Sequence, residues 1–157
     1  MTDYKLLKNQ VLSLFESESD FLVNTSQFSA FVFEQITDLN WAGFYFLRQD
    51  ELVLGPFQGL VACSRIPMGK GVCGTAAATK KTQRVADVHA FPGHIACDSA
   101  SNSEIVVPLI KNGQVLGVFD IDSPTPSRFS AEDEHGIVEM VEVFLEKTDF
   151  EPLVGLK

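Results

Sequence analysis

Ser103-Glu104-Ile105-Val106-Val107-Pro108-Leu109-Ile110-Lys111-Asn112-Gly113-Gln114-Val115-Leu116-Gly117-Val118-Phe119-Asp120-Ile121-Asp122-Ser123 is a pair of β-prone runs joined through an Asn-Gly dipeptide. Branched and aromatic side chains suit a pleated, half-buried surface, and Asn-Gly tolerates the positive φ of a two-residue turn. The stretch therefore predicts a hairpin with strands Glu104 to Ile110 and Val115 to Ile121. Upstream, Gly43 to Leu47 and Glu51 to Leu54 flank the polar turn Arg48-Gln49-Asp50 and read as a second hairpin, with Trp41 opening its first strand. Gly55-Pro56 breaks that hairpin, and Leu60 to Ile66 reads as a further strand ending at Pro67. Between the hairpins, the glycine-punctuated run Gly69 to Ala78 predicts a loop feeding a short helix, and Gln83 to Val88 a short strand. The stretch from Phe91 to Ser103 reads as a long polar loop, of a kind that usually serves function in a compact domain.

Helices close both ends. Tyr4, Leu7, Val11 and Leu14 recur at helical spacing, and so do Phe28, Phe31, Val32 and Ile36 behind a cap at Ser19 or Asp20. A final helix starts at Ser130, with Glu132, Asp133 and Glu134 in its first turn and Ile137, Val141, Phe144 and Leu145 on its buried face. The expected fold is one α+β domain: a central, mainly antiparallel sheet of five or six strands with helices packed on one face. Its core spans about residues 4–147, and residues 148–157 are expected to be a loosely held C-terminal tail.

At 157 residues and 45% hydrophobic content, the chain can bury a sizeable core without metals or disulfides. Lys and Arg number 12 against 21 Asp and Glu, a net charge of −9 that repels polyanions, so nucleic acid is not an expected partner. The N-terminus lacks the basic and apolar regions of a secretion signal, and no window approaches the roughly 18 apolar residues that span a bilayer. A cytoplasmic location without membrane attachment is expected. A reducing compartment and an odd cysteine count argue against a permanent disulfide framework.

The three cysteines, Cys63, Cys73 and Cys97, carry the candidate chemistry. No C-x-x-C pair is present, so a zinc site would need His89 or His94, and neither a metal nor a cofactor is expected. Cys97 sits in the polar loop Ile95-Ala96-Cys97-Asp98-Ser99-Ala100-Ser101-Asn102-Ser103, where a thiolate is accessible to reaction. Cys63 follows an apolar run, and a buried, inert thiol is the plain alternative for each cysteine taken singly. Asp120 and Asp122 flank Ile121 and share one face of a strand. They either grip a cation or belong to a solvated strand end. Glu104 opens the neighbouring strand as a proton donor with a raised pKa or a third carboxylate for an ammonium group. Trp41 either fills the core or walls a small-ligand pocket. His135 reads as a surface residue, and His89 and His94 as residues that shape the loop.

Several runs together carry a family resemblance: Asn40-Trp41-Ala42-Gly43-Phe44-Tyr45, Gly55-Pro56-Phe57-Gln58-Gly59 leading to Ala62-Cys63-Ser64-Arg65-Ile66-Pro67, and Gly69-Lys70-Gly71-Val72-Cys73-Gly74. Phe91-Pro92-Gly93-His94-Ile95-Ala96-Cys97-Asp98, Ser103-Glu104-Ile105-Val106-Val107-Pro108-Leu109 and Gly117-Val118-Phe119-Asp120-Ile121-Asp122-Ser123 complete the set. From about Tyr4 to Leu145 the chain closely resembles the free methionine-(R)-sulfoxide reductases, which are single GAF-type domains. Leu60-Val61 departs from the pattern at no functional position.

The resemblance implies a GAF-like fold over residues 1–157, with Cys97 as catalytic thiol, Cys63 as resolving thiol and Cys73 as an accessory. It implies a substrate pocket of Trp41, Tyr45, Glu104, Asp120 and Asp122, no metal, and thioredoxin as reductant. Domains of this fold often form homodimers, so a homodimer is compatible with the resemblance. The residues fit such chemistry: a Cys97 thiolate attacks the sulfoxide sulfur, Glu104 or an aspartate protonates the departing oxygen, and a Cys63–Cys97 disulfide forms from the sulfenic acid. Carboxylates suit the ammonium group of a free amino acid, and backbone N–H groups near the glycine-rich loop suit its carboxylate. Two other readings stay open. One is a GAF sensor module that binds a small ligand such as a nucleotide without catalysis; the other is a metal-binding or redox-switch protein.

Overall fold

The structure is a computed structural model, and it describes residues 1–95, 97 and 99–154. Its helices are α1 (Tyr4–Leu14), α2 (Phe21–Gln35), α3 (Gly71–Thr79), α4 (Ala131–Lys147) and the short α5 (Glu151–Val154). Its strands are β1 (Trp41–Arg48), β2 (Glu51–Gly59), β3 (Arg65–Pro67), β4 (Gln83–Val85), β5 (Ser103–Lys111) and β6 (Gln114–Ser123). The strands form one six-stranded antiparallel sheet in the order β3-β2-β1-β6-β5-β4. This is the expected α+β class.

Local chemistry explains the element ends. Asn112 and Gly113 both take positive φ, 54° and 76°, and turn β5 into β6 with Lys111 opposite Gln114. The Asp3 and Asp20 carboxylates accept from Leu6 N and Val23 N, capping α1 and α2. At α4, Ser130 Oγ accepts from Asp133 N while the Asp133 carboxylate accepts from Ser130 N, a reciprocal capping box. Tyr4 OH also donates to Asp133 Oδ1 at 2.6 Å, tying α1 to the start of α4. Ser130→Ala is expected to cost about 1 kcal/mol, read as a lowered urea midpoint with an unchanged slope.

Pairing sets which side chain faces where. Trp41 lies opposite Asp122 and Gly43 opposite Asp120 on β6, while Glu104 of β5 lies opposite Asp122. With a side-chain period of two, Trp41, Tyr45, Asp120, Asp122 and Glu104 all project from one face. Their neighbours Phe44, Phe119, Ile121 and Ile105 project from the other, where they join the main core with α1, α2 and α4. Phe28 of α2 sits at its centre, with ring centroids 4.8 Å from Phe119 and 5.0 Å from Phe144. The expected helical layer is thus α1, α2 and α4. The fourth helix, α3, packs on the opposite face, where Val72, Cys73, Ala76 and Ala77 meet Trp41, Tyr45, Val106 and Val118 in a second core.

Three local expectations are corrected. Gly55-Pro56 does not end the second strand: β2 runs through to Gly59, and the register shifts where Gly43 pairs with Phe57 but Tyr45 pairs with Leu54. The extra residue is taken up as a bulge, which accommodates a proline without an N–H to give to the ladder. The third strand is only Arg65–Pro67, so Cys63 lies in a loop and not on a strand, with Leu60 and Val61 exposed. The expected tail is held as far as Leu153, because Phe150 and Leu153 are buried in the main core. Its last three residues lie outside the described ones.

Candidate active site

The face of the sheet opposite the long helices forms the floor of a cavity. Its space open to a water-sized sphere is about 40 Å³, room for a few water molecules. Every residue named from the sequence as catalytic or substrate-binding meets there except Cys63: Trp41, Tyr45, Cys73, Cys97, Glu104, Asp120 and Asp122 line it. Cys63 is joined to it covalently, through a Cys63–Cys97 disulfide with the Cα atoms 5.1 Å apart. That spacing lies within the normal range for a bridge. The two sulfurs come from different loops, one between β2 and β3 and the other before β5. Sequence spacing alone could not have brought them together.

Two buried aromatics hold the Cys63 loop. Trp41 Nε1 donates to Leu60 O at 3.2 Å, and Tyr45 OH donates to Cys63 O at 2.9 Å. The Trp41 ring stacks on Tyr45 and on Phe57, with centroids 5.8 and 5.2 Å away. Burial, reinforced by the Asp120 charge, raises the Tyr45 phenol far above its ordinary value and keeps it a hydrogen-bond donor. Tyr45→Phe removes a hydrogen bond worth about 1 kcal/mol. The Cys63–Cys97 pair is then expected to lose about fivefold in its equilibrium with a glutathione buffer, measured by trapping free thiols for mass spectrometry.

Behind the disulfide lies a buried acidic group. Glu104 and Asp120 are each 6% exposed, and Cys73 of α3 points its Sγ at Glu104 Oε1 from 3.8 Å, the thiol donating. Burial raises the Glu104 carboxyl above its ordinary value. Asp120 is raised well above its own, by burial first and then by the Asp122 and Glu104 charges. The Cys73 thiol is pushed up by burial and by Asp120, Glu104 and Asp122 in turn. It stays protonated and poorly nucleophilic, unlike a thiol prepared for attack. Asp120 Oδ1 is buried and has no hydrogen-bond partner among the described residues.

Another part of the cavity lining is positive in character. Lys70 lines it, followed by Gly71 and Val72 in the first turn of α3, where backbone N–H groups and the helix dipole favour an anion. Gly71 holds φ at 61° there, which suits glycine. Lys70 escaped the sequence reading, although it sits inside the glycine-punctuated run that pointed to an anion site. Ser101 also lines the cavity and accepts from Asn40 Nδ2 at 3.1 Å; nothing in its polar loop singled it out. His94 reaches the cavity with its ring edge-to-face to His89, while His135 is exposed. Burial, then the neighbouring His89, lowers the His94 pKa.

An antiparallel sheet with a cavity on one face and its long helices on the other is the arrangement of a GAF domain, and a model described as GAF domain matches residues 24–143. An Escherichia coli (strain K12) protein named Free methionine-R-sulfoxide reductase is 53% identical over 150 residues, covering 94% of this chain and 91% of its own. The solved structure of a free methionine-R-sulfoxide reductase from Neisseria meningitidis, in complex with its substrate, superposes with a TM-score of 0.88. It is 42% identical, with 92% of this chain and 87% of that one covered. A Burkholderia vietnamiensis structure described as a putative GAF sensor protein is 57% identical, covering 92% of each chain with a TM-score of 0.90. The chain belongs to the free methionine-(R)-sulfoxide reductases, a family of GAF-domain oxidoreductases.

Proposed function

We propose that this chain reduces free L-methionine-(R)-sulfoxide to L-methionine, with thioredoxin as the final reductant. The observation that carries the reading is the Cys63–Cys97 disulfide at the mouth of an acid-floored cavity. Two sulfurs that can pair meet beside the cavity, and the buried Glu104 and Asp120 carboxyls, both raised by burial, are a nearby source of protons. The E. coli and Neisseria relatives carry names of that activity, and the latter was solved with its substrate.

Starting from the dithiol, the Cys97 thiolate attacks the sulfoxide sulfur. The oxygen takes up a proton from the buried Glu104–Asp120 pair and is transferred to the Cys97 sulfur. Methionine leaves reduced by two electrons, and Cys97 is left as a sulfenic acid. The Cys63 thiol displaces that hydroxyl as water and forms the disulfide, which a dithiol protein reduces by exchange. Cys73 takes no electrons in this scheme. Its thiol positions Glu104 by hydrogen bond.

Asp120, Asp122 and Glu104 offer negative charge to the substrate ammonium, while Lys70 and the α3 N-terminus face its carboxylate. A methionine residue inside a protein carries neither group. Trp41 and Tyr45 enclose the methylthio end. A thioredoxin-dependent reaction of this kind fits a reducing compartment such as the cytosol.

The deciding measurement is NADPH oxidation with thioredoxin, thioredoxin reductase and free L-methionine-(R)-sulfoxide. Turnover with that epimer, and none with the (S) epimer or with a peptide-bound sulfoxide, is expected. Absence of turnover, or equal turnover on the peptide, would overturn the proposal.

A further inference from the structure

Cys73 takes no electrons in the proposed chemistry, where its thiol only positions Glu104. It is buried, and with Cys63 and Cys97 linked it is the one free thiol of the three. One ligand atom each from Cys73, Glu104 and Asp120 lie within 4.8 Å of one another. The charges acting on the thiol all come from carboxylates: Asp120, Glu104 and Asp122. Asp120 Oδ1 is buried without a hydrogen-bond partner among the described residues, and its residue lines the cavity with the other two. Three acidic ligand groups thus converge from α3, β5 and β6 on a point open to the cavity, one of them with an unsatisfied oxygen.

We infer that Cys73, Glu104 and Asp120 form a binding site for a thiophilic divalent cation such as Zn²⁺. Bond lengths of about 2.3 Å to sulfur and 2.0–2.2 Å to oxygen in a tetrahedron put sulfur and oxygen about 3.5 Å apart. Cys73 Sγ and Glu104 Oε1 are already 3.8 Å apart. Closing the remaining distances takes movements on the order of 1 Å, within reach of side-chain adjustment. One thiolate and two carboxylates satisfy three positions, and the cavity leaves the fourth to water. Binding displaces the protons that the groups otherwise hold. An ammonium ion makes poor use of the sulfur, which is why the site favours a soft cation over the amino group alone.

The binding itself stands on geometry and is independent of the reductase reading. Its consequence rests on that reading: a cation here occupies Glu104 and Asp120, so zinc inhibits the enzyme.

The test uses the full chain with the Cys63–Cys97 disulfide intact, which leaves Cys73 as the only thiol. Titration with Cd²⁺ is expected to raise a thiolate-to-cadmium absorption in the ultraviolet that saturates at one ion per chain. Zn²⁺ affinity, read by competition with a chromophoric chelator, is expected to fall at least tenfold in both Cys73→Ser and Asp120→Asn. No thiolate absorption from the unmodified chain, or a fall of less than tenfold in either variant, would overturn the site. The cadmium titration needs no variant, so a misfolded substitution leaves the inference open to refutation.

Discussion

Cys97→Ser is expected to abolish the reduction of free methionine-(R)-sulfoxide, lowering kcat by about three orders of magnitude or more, the scale seen when a covalent nucleophile is removed. A serine hydroxyl stays protonated at neutral pH and does not attack sulfur. Cys63→Ser is expected to behave differently, because in the proposed scheme Cys63 acts after methionine has formed. It should release about one methionine per protein molecule and then stop with thioredoxin as reductant, since no disulfide forms. Rapid-quench measurement of methionine against enzyme concentration separates the two variants. Equal steady turnover by both would sink the division of roles between the linked sulfurs.

Glu104→Gln is expected to lower kcat by about 10²–10⁴-fold, the usual contribution of a positioned general acid, with a smaller effect on KM. The amide keeps the shape of the side chain and an oxygen to accept from Cys73 Sγ, 3.8 Å away in the parent. It lacks a proton to surrender to the departing oxygen. Glu132→Gln is the control, because Glu132 lies exposed in the first turn of α4 and should leave both constants unchanged. A Glu104→Gln variant with full kcat would move the acid role to Asp120, whose carboxyl is also raised by burial.

What was legible in the sequence was what neighbouring residues decide between themselves. Asn112-Gly113 specifies its turn locally, and Asp20 and Ser130 announce their helices through groups three residues on. The parity of Asp120 and Asp122 followed from strand periodicity alone. Other features depend on partners far along the chain. Whether Gly55-Pro56 ends a strand depends on β1, which offers a ladder around the proline and turns a break into a bulge. The apolar run at Leu60-Val61 looks like a strand, yet those side chains are exposed while Trp41 and Tyr45 hold the loop backbone at Leu60 and Cys63. Nothing near Phe150 signals that the Phe144 ring lies 5.8 Å from it.

The site was readable because its residue types are chemically conspicuous; their roles were supplied by a family likeness. Lys70 and Ser101 were missed for the converse reason, as a lysine and a serine in polar loops look like ordinary surface residues. Cys73 lay in view, but its pairing with Glu104 becomes apparent only once α3 crosses the sheet on the side away from the long helices.

The two-faced sheet also bears on how such a protein diversifies. On β1 and β6, Ala42, Phe44, Phe46, Phe119 and Ile121 belong to the core around Phe28, while Trp41, Tyr45, Asp120 and Asp122 line the cavity on the other face. Heritable change at Asp120 or Asp122 therefore alters the lining of the cavity while leaving the Phe44–Phe119 contact in place. One strand thus encodes two independently adjustable messages, scaffold and specificity, in alternating letters. A lineage can rewrite the second without erasing the first.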